Sequence, residues 1–330
     1  MRALNQNLNA NLVELVQILH DGEFHDGSSI GNKLNISRAS VWKLIKKLEQ
    51  YQIPITSTKG KGYKLETPLL LLDQKKIQSQ LQHKSAKVHV LEKTESTNDY
   101  LKKFTHNNNK IIACLTEYQS AGKGRLERQW HSPFAENIYL SLLIPFNQDF
   151  SELSGLSLIT ALAICHAIEN VIALPDAGVS VKWPNDILVD GHKLAGILLE
   201  IEAESNGYSQ LIIGVGINVN MQSVTKKDIT QKWTSLYKLC NKYLDRNILT
   251  AKLIDTLINY VSRFFAHGIT EFMQDWQQRD CLVDKDICII NGKHKTCGTY
   301  AGINEKGHLK IKTVDGKILT FSAGDATIAK

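Results

Sequence analysis

Apolar residues along the chain change their period from region to region, and each change marks an element. Leu12, Leu15, Val16 and Leu19 recur at helical spacing, and Asp21-Gly22 ends that run. A second helix is predicted from Ser28 or Ser29, with Ile30 and Leu34 on one face and a stop at Asn35. Ser37 caps a third, SRASVWKLIKKLEQY, whose Val41, Leu44, Ile45 and Leu48 form an inward stripe while Arg38, Lys43, Lys46 and Lys47 stay outside. IPITSTKGKGYKL then reads as two short strands around a Gly-rich basic turn, so the first region is predicted to be a winged helix-turn-helix. TPLLLLDQKKIQSQL follows as a connector with a proline and a helix-like apolar run. Beyond it strands alternate with helices: KVHVLEK, NDYLKKF, IIACLTEYQ, NIYLSLLIP, the long helix SLITALAICHAIENVIAL, then VSVKWPNDILV, KLAGILLEIEA and LIIGVGINVN. From Val283 short strands with turns at Asn291-Gly292, Glu305-Lys306-Gly307 and Asp315-Gly316 predict a small β-barrel of the SH3 kind. The expected class is α/β (α+β) and multi-domain: 1–66 winged helix, 67–85 connector, 86–275 mixed-sheet domain, 276–330 SH3-like barrel.

Composition agrees with a core-forming, multi-domain chain, since 330 residues at 43% hydrophobic exceed one ordinary domain. The opening residues lack a basic segment followed by an apolar stretch and a cleavage site, and no run is long enough to span a bilayer, so a cytoplasmic protein without a membrane partner is expected. Six cysteines stand without a C-x-x-C pair or histidine spacing, which predicts buried free thiols rather than a disulfide framework or zinc site.

The net charge of +6 matters mainly through its placement. Residues 33–64 hold seven lysines and one arginine against a single acid, Glu49. A basic helix beside a basic wing fits DNA, with Ser37, Arg38, Ser40 and Lys43 meeting the major groove and Lys59 and Lys61 the phosphates. The plainer alternative is a three-helix bundle whose lysines only solvate it.

Four polar segments interrupt the apolar pattern of the middle domain: ESTN (95–98), TEYQSAGKGRLERQW (116–130), KWPND with GHKLAG, and GVGINVN (214–220). Buried polar groups are costly unless paired, so several at strand ends most economically line one pocket. Gly122 and Gly124 permit close backbone approach, and Lys123, Arg125 and Arg128 supply charge for an anionic ligand. The spacing matches neither a P-loop nor a dinucleotide fingerprint.

These motifs, in this order and behind a winged helix, closely resemble the biotin protein ligases that double as repressors of biotin synthesis, over nearly the whole chain. The resemblance implies a central domain of the biotin/lipoate ligase type that joins biotin to ATP as biotinyl-5′-AMP and passes biotin to a lysine of a carboxyl carrier domain. It also implies a homodimer when adenylate is bound, and binding of operator DNA. Carry-over places Lys193, Arg125 and Asp186 at the chemistry, with Mg2+ arriving with ATP near Asp186 and no tightly bound metal. Biotin falls to Ser96, Thr97, Asn98, Gln119, Gly122, Lys123, Gly124, Arg125, Lys193 and Gly196, and the nucleotide to Arg128, Trp130, Asn185 and Asn218. The loop departs from the family's G-R-G-R-x-G-R: here Lys123 replaces the first arginine and Glu127 the third glycine. Two rivals remain, a lipoate-type ligase or octanoyl transferase, the latter needing a nucleophilic cysteine, and a biotin-sensing transcription factor without catalysis.

Overall fold

The computed structural model describes residues 9–104, 110–146, 149–174, 178–203, 209–224, 229–292 and 294–328. The first eight residues, read above for a targeting segment, lie outside that set.

Three helices, α1 (Ala10–Leu19), α2 (Gly27–Leu34) and α3 (Arg38–Gln50), precede an antiparallel hairpin of β1 (Ile55–Thr58) and β2 (Gly62–Leu65). Each helix starts where a side chain satisfies its free N–H groups. Asn9 accepts from Asn11, Asp26 from Ser28 and Ser29, and Ser37 from Ser40. Asp26 therefore starts α2 one residue before the serines that sequence favoured. Asn35, at φ 52°, ends it in the left-handed conformation. The predicted stripe of α3 is buried, together with Leu12, Leu15, Val16 and Leu19 of α1.

The connector differs from its reading as a helix-like run. Residues 68–73 carry no helix, and Asp73 caps a short α4 (Gln74–Gln80). The reason is a competing set of partners. Arg246 donates to Leu70 O (2.9 Å), Asn247 to Leu71 O (3.1 Å), Leu70 N–H to the Tyr243 hydroxyl (3.0 Å) and Leu72 N–H to Glu117 (2.5 Å). These side chains take the place of helical backbone bonds.

The central sheet has seven strands: β3 (Lys87–Thr94), β4 (Ile112–Gln119), β5 (Ile138–Phe146), β6 (Ser180–Lys182), β7 (Asp186–Val189), β8 (His192–Ala203) and β9 (Ser209–Ile217). Their order is β3-β4-β5-β9-β8-β7-β6, with β3 and β4 parallel and the other neighbours antiparallel. A short α5 (Thr97–Leu101) follows β3, and α6 (Leu156–Val171) lies between β5 and β6. After β9 come α7 (Leu236–Cys240), α8 (Arg246–His267) and α9 (Met273–Arg279). The long α8 was not among the elements read from sequence.

Strand side chains alternate between faces. Leu140, Leu142, Leu211, Ile213, Val215 and Ile217 join α6 and α8 in the main core, whereas Leu143 and Ile212 pack with Leu101 of α5 on the other face. That second face carries Gly196, Gly214 and Gly216, and Gly196 sits directly opposite Gly216 in the β8–β9 register. The sheet is thus left open beside α5.

The C-terminal strands, β10 (Asp286–Asn291), β11 (His294–Ile303), β12 (Leu309–Lys312), β13 (Ile318–Phe321) and β14 (Asp325–Ile328), form an antiparallel sheet ordered β13-β12-β11-β10-β14. Here the thiol expectation needs correction, because Cys288 and Cys297 form a disulfide. Their β10–β11 register puts them opposite each other with Cα atoms 4.0 Å apart, a pairing hidden in the sequence because it depends on strand alignment. Of the other four, Cys114 and Cys165 are buried and Cys240 and Cys281 partly so. No helix among the described residues is long and apolar enough to cross a membrane.

Candidate active site

A cavity of about 620 Å³ opens on the glycine-bearing face of the sheet. It brings together Ser96, Thr97, Asn98, Gln119, Lys123, Gly124, Arg125, Arg128, Trp130, Asn185, Asp186, Lys193, Gly196 and Asn218. Of the residues expected there only Gly122 is outside the lining. A Cβ at Gly122 would lie 2.6 Å from Trp130 O and 2.8 Å from Ser132 Oγ, so it fixes how tightly the segment folds back on itself.

The inner end is polar and already organised. Gln119 Oε1 accepts from the Thr97 N–H (3.0 Å) and hydroxyl (3.2 Å), and its amide donates to Ser132 (3.1 Å). The Ser141 hydroxyl lies 2.6 Å from Thr97 Oγ1 and also bonds Asn98. The Asn98 amide donates to Glu200 (2.7 Å), which Lys102 holds from outside (2.8 Å). A Cβ at Gly214 would stand 2.5 Å from Asn98 Oδ1, so that glycine makes room for Asn98. Ser96 and Asn98 are 3% exposed and Thr97 4%. Such a ring of fixed donors and acceptors suits a ligand with both amide-like N–H and carbonyl groups.

Trp130 forms the middle wall. Its indole lies against Gly216 and Gly196, where an added Cβ would come within 2.4 Å and 2.9 Å of the ring. Its buried N–H has no hydrogen-bond partner among the described residues. The Lys193 ammonium lies 5.4 Å from the ring centroid and 2.7 Å from Asp186 Oδ1. Among the described residues that oxygen has no hydrogen bond of good angle despite the short separation, so the contact is ionic and leaves it able to accept more. Lys193 is fixed through its backbone, whose N–H donates to Lys232 O (3.0 Å) and whose carbonyl accepts from Thr234 (2.9 Å). The Asn218 amide donates to Thr234 O (3.0 Å) and, at 3.4 Å, to Lys193 O.

The outer end is cationic. Arg125 donates to Asn185 Oδ1 (3.1 Å) and to Gly324 O (3.2 Å), while Arg128 forms an ion pair with Asp325. Lys123 turns outward to Asp99 (2.7 Å). Asp325, Glu200, Ser132, Ser141 and Trp233 were not anticipated. Asp325, Glu200 and Ser141 lie far along the chain from Arg128, Asn98 and Thr97, whereas Ser132 is local, two residues from the Trp130 carbonyl that it bonds.

On the winged helix, Ser37 and Ser40 bond each other (2.9 Å) at the start of α3, and Arg38, Lys43, Lys59 and Lys61 are exposed. Lys61 lies 5.9 Å from the Phe24 ring centroid. The domain rests on the sheet domain through Tyr51, stacked on Phe134 at 3.9 Å between centroids, and through Lys47, 2.5 Å from Glu92.

Comparison with known proteins bears on this arrangement. Residues 90–218 match the Biotin/lipoate A/B protein ligase family, and residues 12–64 match an HTH domain. The chain is 36% identical to the bifunctional ligase/repressor BirA of Salmonella typhimurium, over 95% of this chain and 96% of that protein. Its identity to the bifunctional ligase/repressor BirA of Bacillus subtilis is 28%, over 97% and 98%. Among solved structures, the biotin protein ligase from Aquifex aeolicus in complex with biotin and ATP superposes with a TM-score of 0.63 at 28% identity, covering 74% of this chain and 98% of that one. The chain belongs to the bifunctional ligase/repressor group of the biotin/lipoate A/B protein ligase family.

Proposed function

We propose that this protein condenses biotin with ATP to biotinyl-5′-AMP, transfers biotin to a lysine of a carboxyl carrier domain, and represses biotin synthesis genes when loaded with adenylate. The observation that carries the reading is one continuous cavity with amide-matching groups at one end, Lys193 in the middle and arginines at the other. In it Ser96, Thr97, Asn98 and Gln119 take the ureido ring, with Gly196 and the backbone of the segment from Gly122 through Lys123 and Gly124 to Arg125 closing on it. Trp130, Asn185, Asn218 and Arg128 take the nucleotide.

The chemistry follows from charge. A carboxylate attacking an α-phosphate brings two anions together, so fixed cations aimed at the reacting oxygens lower the barrier. Lys193 would supply that charge, its ammonium 2.7 Å from Asp186, and Arg125 lines the same cavity. Among the described residues no three acidic, histidine or cysteine groups cluster as metal ligands. One carboxylate with spare acceptor capacity does fit Mg2+, which binds through few protein ligands plus substrate phosphates. Asp186 would hold it, and the ion would offset phosphate charge.

A cysteine-dependent acyl transferase has no support here. Burial pushes the Cys165 thiol up to about 12 and the Cys281 thiol up to about 11, the opposite of an activated nucleophile. We further propose the boundaries 1–66, 67–85, 86–275 and 276–330, closure of the C-terminal sheet into an SH3-like barrel, and an adenylate-dependent homodimer. The test of the double role is one preparation given biotin and Mg-ATP. It should biotinylate a carrier domain at its single acceptor lysine and acquire salt-sensitive affinity for duplex DNA, weakened by Lys59→Ala with Lys61→Ala. Carrier labelling without DNA binding would remove the repressor half, and DNA binding without labelling would leave only a sensor.

A further inference from the structure

Trp42 stands at the fifth position of α3 and is 51% exposed, while its helix neighbours Val41, Leu44 and Ile45 are 0%, 9% and 1% exposed. The other four tryptophans are covered to a greater degree. Trp183 and Trp276 are 2% exposed, the Trp183 N–H donating to Gly307 O, and Trp130 and Trp233 are partly covered. Helical spacing sets Arg38 and Ala39 one turn before Trp42 and Lys46 one turn after, on the same face. Lys46 already pairs with Glu49 (2.5 Å), which leaves Arg38 and Lys43 as the positive charge beside the indole. A lone exposed apolar side chain is ordinary. A large flat one in a cationic rim, on the helix that follows a helix-turn, is a recognition feature. The same rim repels a second copy of this face, so the fitting occupant is a polyanion with an apolar group to offer.

We propose that Trp42 reads sequence, its indole face covering the 5-methyl group of a thymine in the major groove of each half-site, where Arg38 and Lys43 enter beside it. The proposal rests on the repressor reading above. N-terminal residues of a recognition helix reach base edges, and thymine is the base that presents a methyl group there. Ala39, short and one turn earlier, leaves the indole face open to the groove floor.

The experiment uses the full-length protein with biotin and Mg-ATP. Duplexes are selected from a randomised library, and each thymine of the selected site is then replaced by deoxyuridine, which lacks only the methyl. Wild type should lose about fourfold in affinity for one symmetry-related thymine per half-site and about fifteenfold for both, the worth of one buried methyl each. Trp42→Ala should bind the thymine and uracil duplexes equally, and Trp42→Phe should keep part of the difference. Melting temperatures near wild type would show α3 intact in both variants. Uracil sensitivity that persists in Trp42→Ala, or a wild type indifferent to every uracil, overturns the assignment while leaving repression standing. Failure of wild type to enrich any duplex overturns the repressor reading, and this proposal with it.

Discussion

The Lys193 ammonium and the Asp186 carboxylate stand 2.7 Å apart at the mouth of the β7–β8 hairpin. The two strands register Asp186 opposite Gly196 and Leu188 opposite Lys193, with an irregularity between Ile187 and Leu188. That irregularity turns the lysine into the cavity beside Trp130. On the proposed chemistry, Asp186 is a positioning group for the charge that meets the phosphate. Replacing Asp186 with Asn should slow adenylate formation by about 10- to 100-fold, as loss of orientation at a reacting centre does. Single-turnover rates with saturating biotin and ATP measure it, and a rate within twofold of wild type would remove Asp186 from that role.

Asp325 ties the outer end of the site to the C-terminal sheet. It pairs with Arg128 and lies 3.8 Å from Arg125, whose guanidinium also reaches Asn185. With one partner largely in solvent, such a pair is worth at most about 1 kcal/mol. Asp325→Asn should accordingly raise the KM for ATP about fivefold and change kcat little. A lowered KM would mean instead that Asp325 competes with the nucleotide for the arginines.

Leu126 and Glu127 take φ of 54° and 58°, a left-handed pair in which neither residue is glycine. Each such residue costs about 1 kcal/mol, and Leu126 is 68% exposed, so little packing offsets it. The strain sits in the segment proposed to cover adenylate. Glu127→Gly removes part of it along with a negative charge, and biotinyl-AMP should dissociate several-fold more slowly in stopped flow. Equal dissociation rates would contradict this.

The readable parts of the molecule were those fixed by local chemistry. Ser37 as a cap, the α3 stripe, the wing and the strand order around KWPND follow from spacing and turn residues, and polar segments in apolar strands located the cavity. What escaped depends on alignment across long separations. Cys288 meets Cys297 only through strand register, and Asp325 meets Arg128 across nearly two hundred residues. Arg246 carries no local sequence signal of burial, yet it is 0% exposed. The apolar run 69–72 suggested a helix because its backbone partners, Arg246 and Glu117, could not be foreseen.

That Arg246–Glu117 pair, 2.7 Å apart and fully buried, joins α8, β4 and the connector. Removing one partner of a buried pair leaves an uncompensated charge. Glu117→Gln should therefore cost about 3–5 kcal/mol and lower Tm by about 10 °C. The double variant Glu117→Leu with Arg246→Met should recover only part of the loss, because Leu72 N–H and Leu70 O lose their partners with it. A double variant no better than the single one would assign the damage to those backbone groups rather than to the unpaired charge.

The central claim is adenylation of biotin at Lys193, and pyrophosphate release from the purified protein tests it most directly. With Mg-ATP and biotin, lipoate or octanoate supplied separately, release should occur with biotin alone and fall by about 100-fold or more in Lys193→Ala. Release with lipoate or octanoate instead, or an undiminished rate in the variant, would contradict the account.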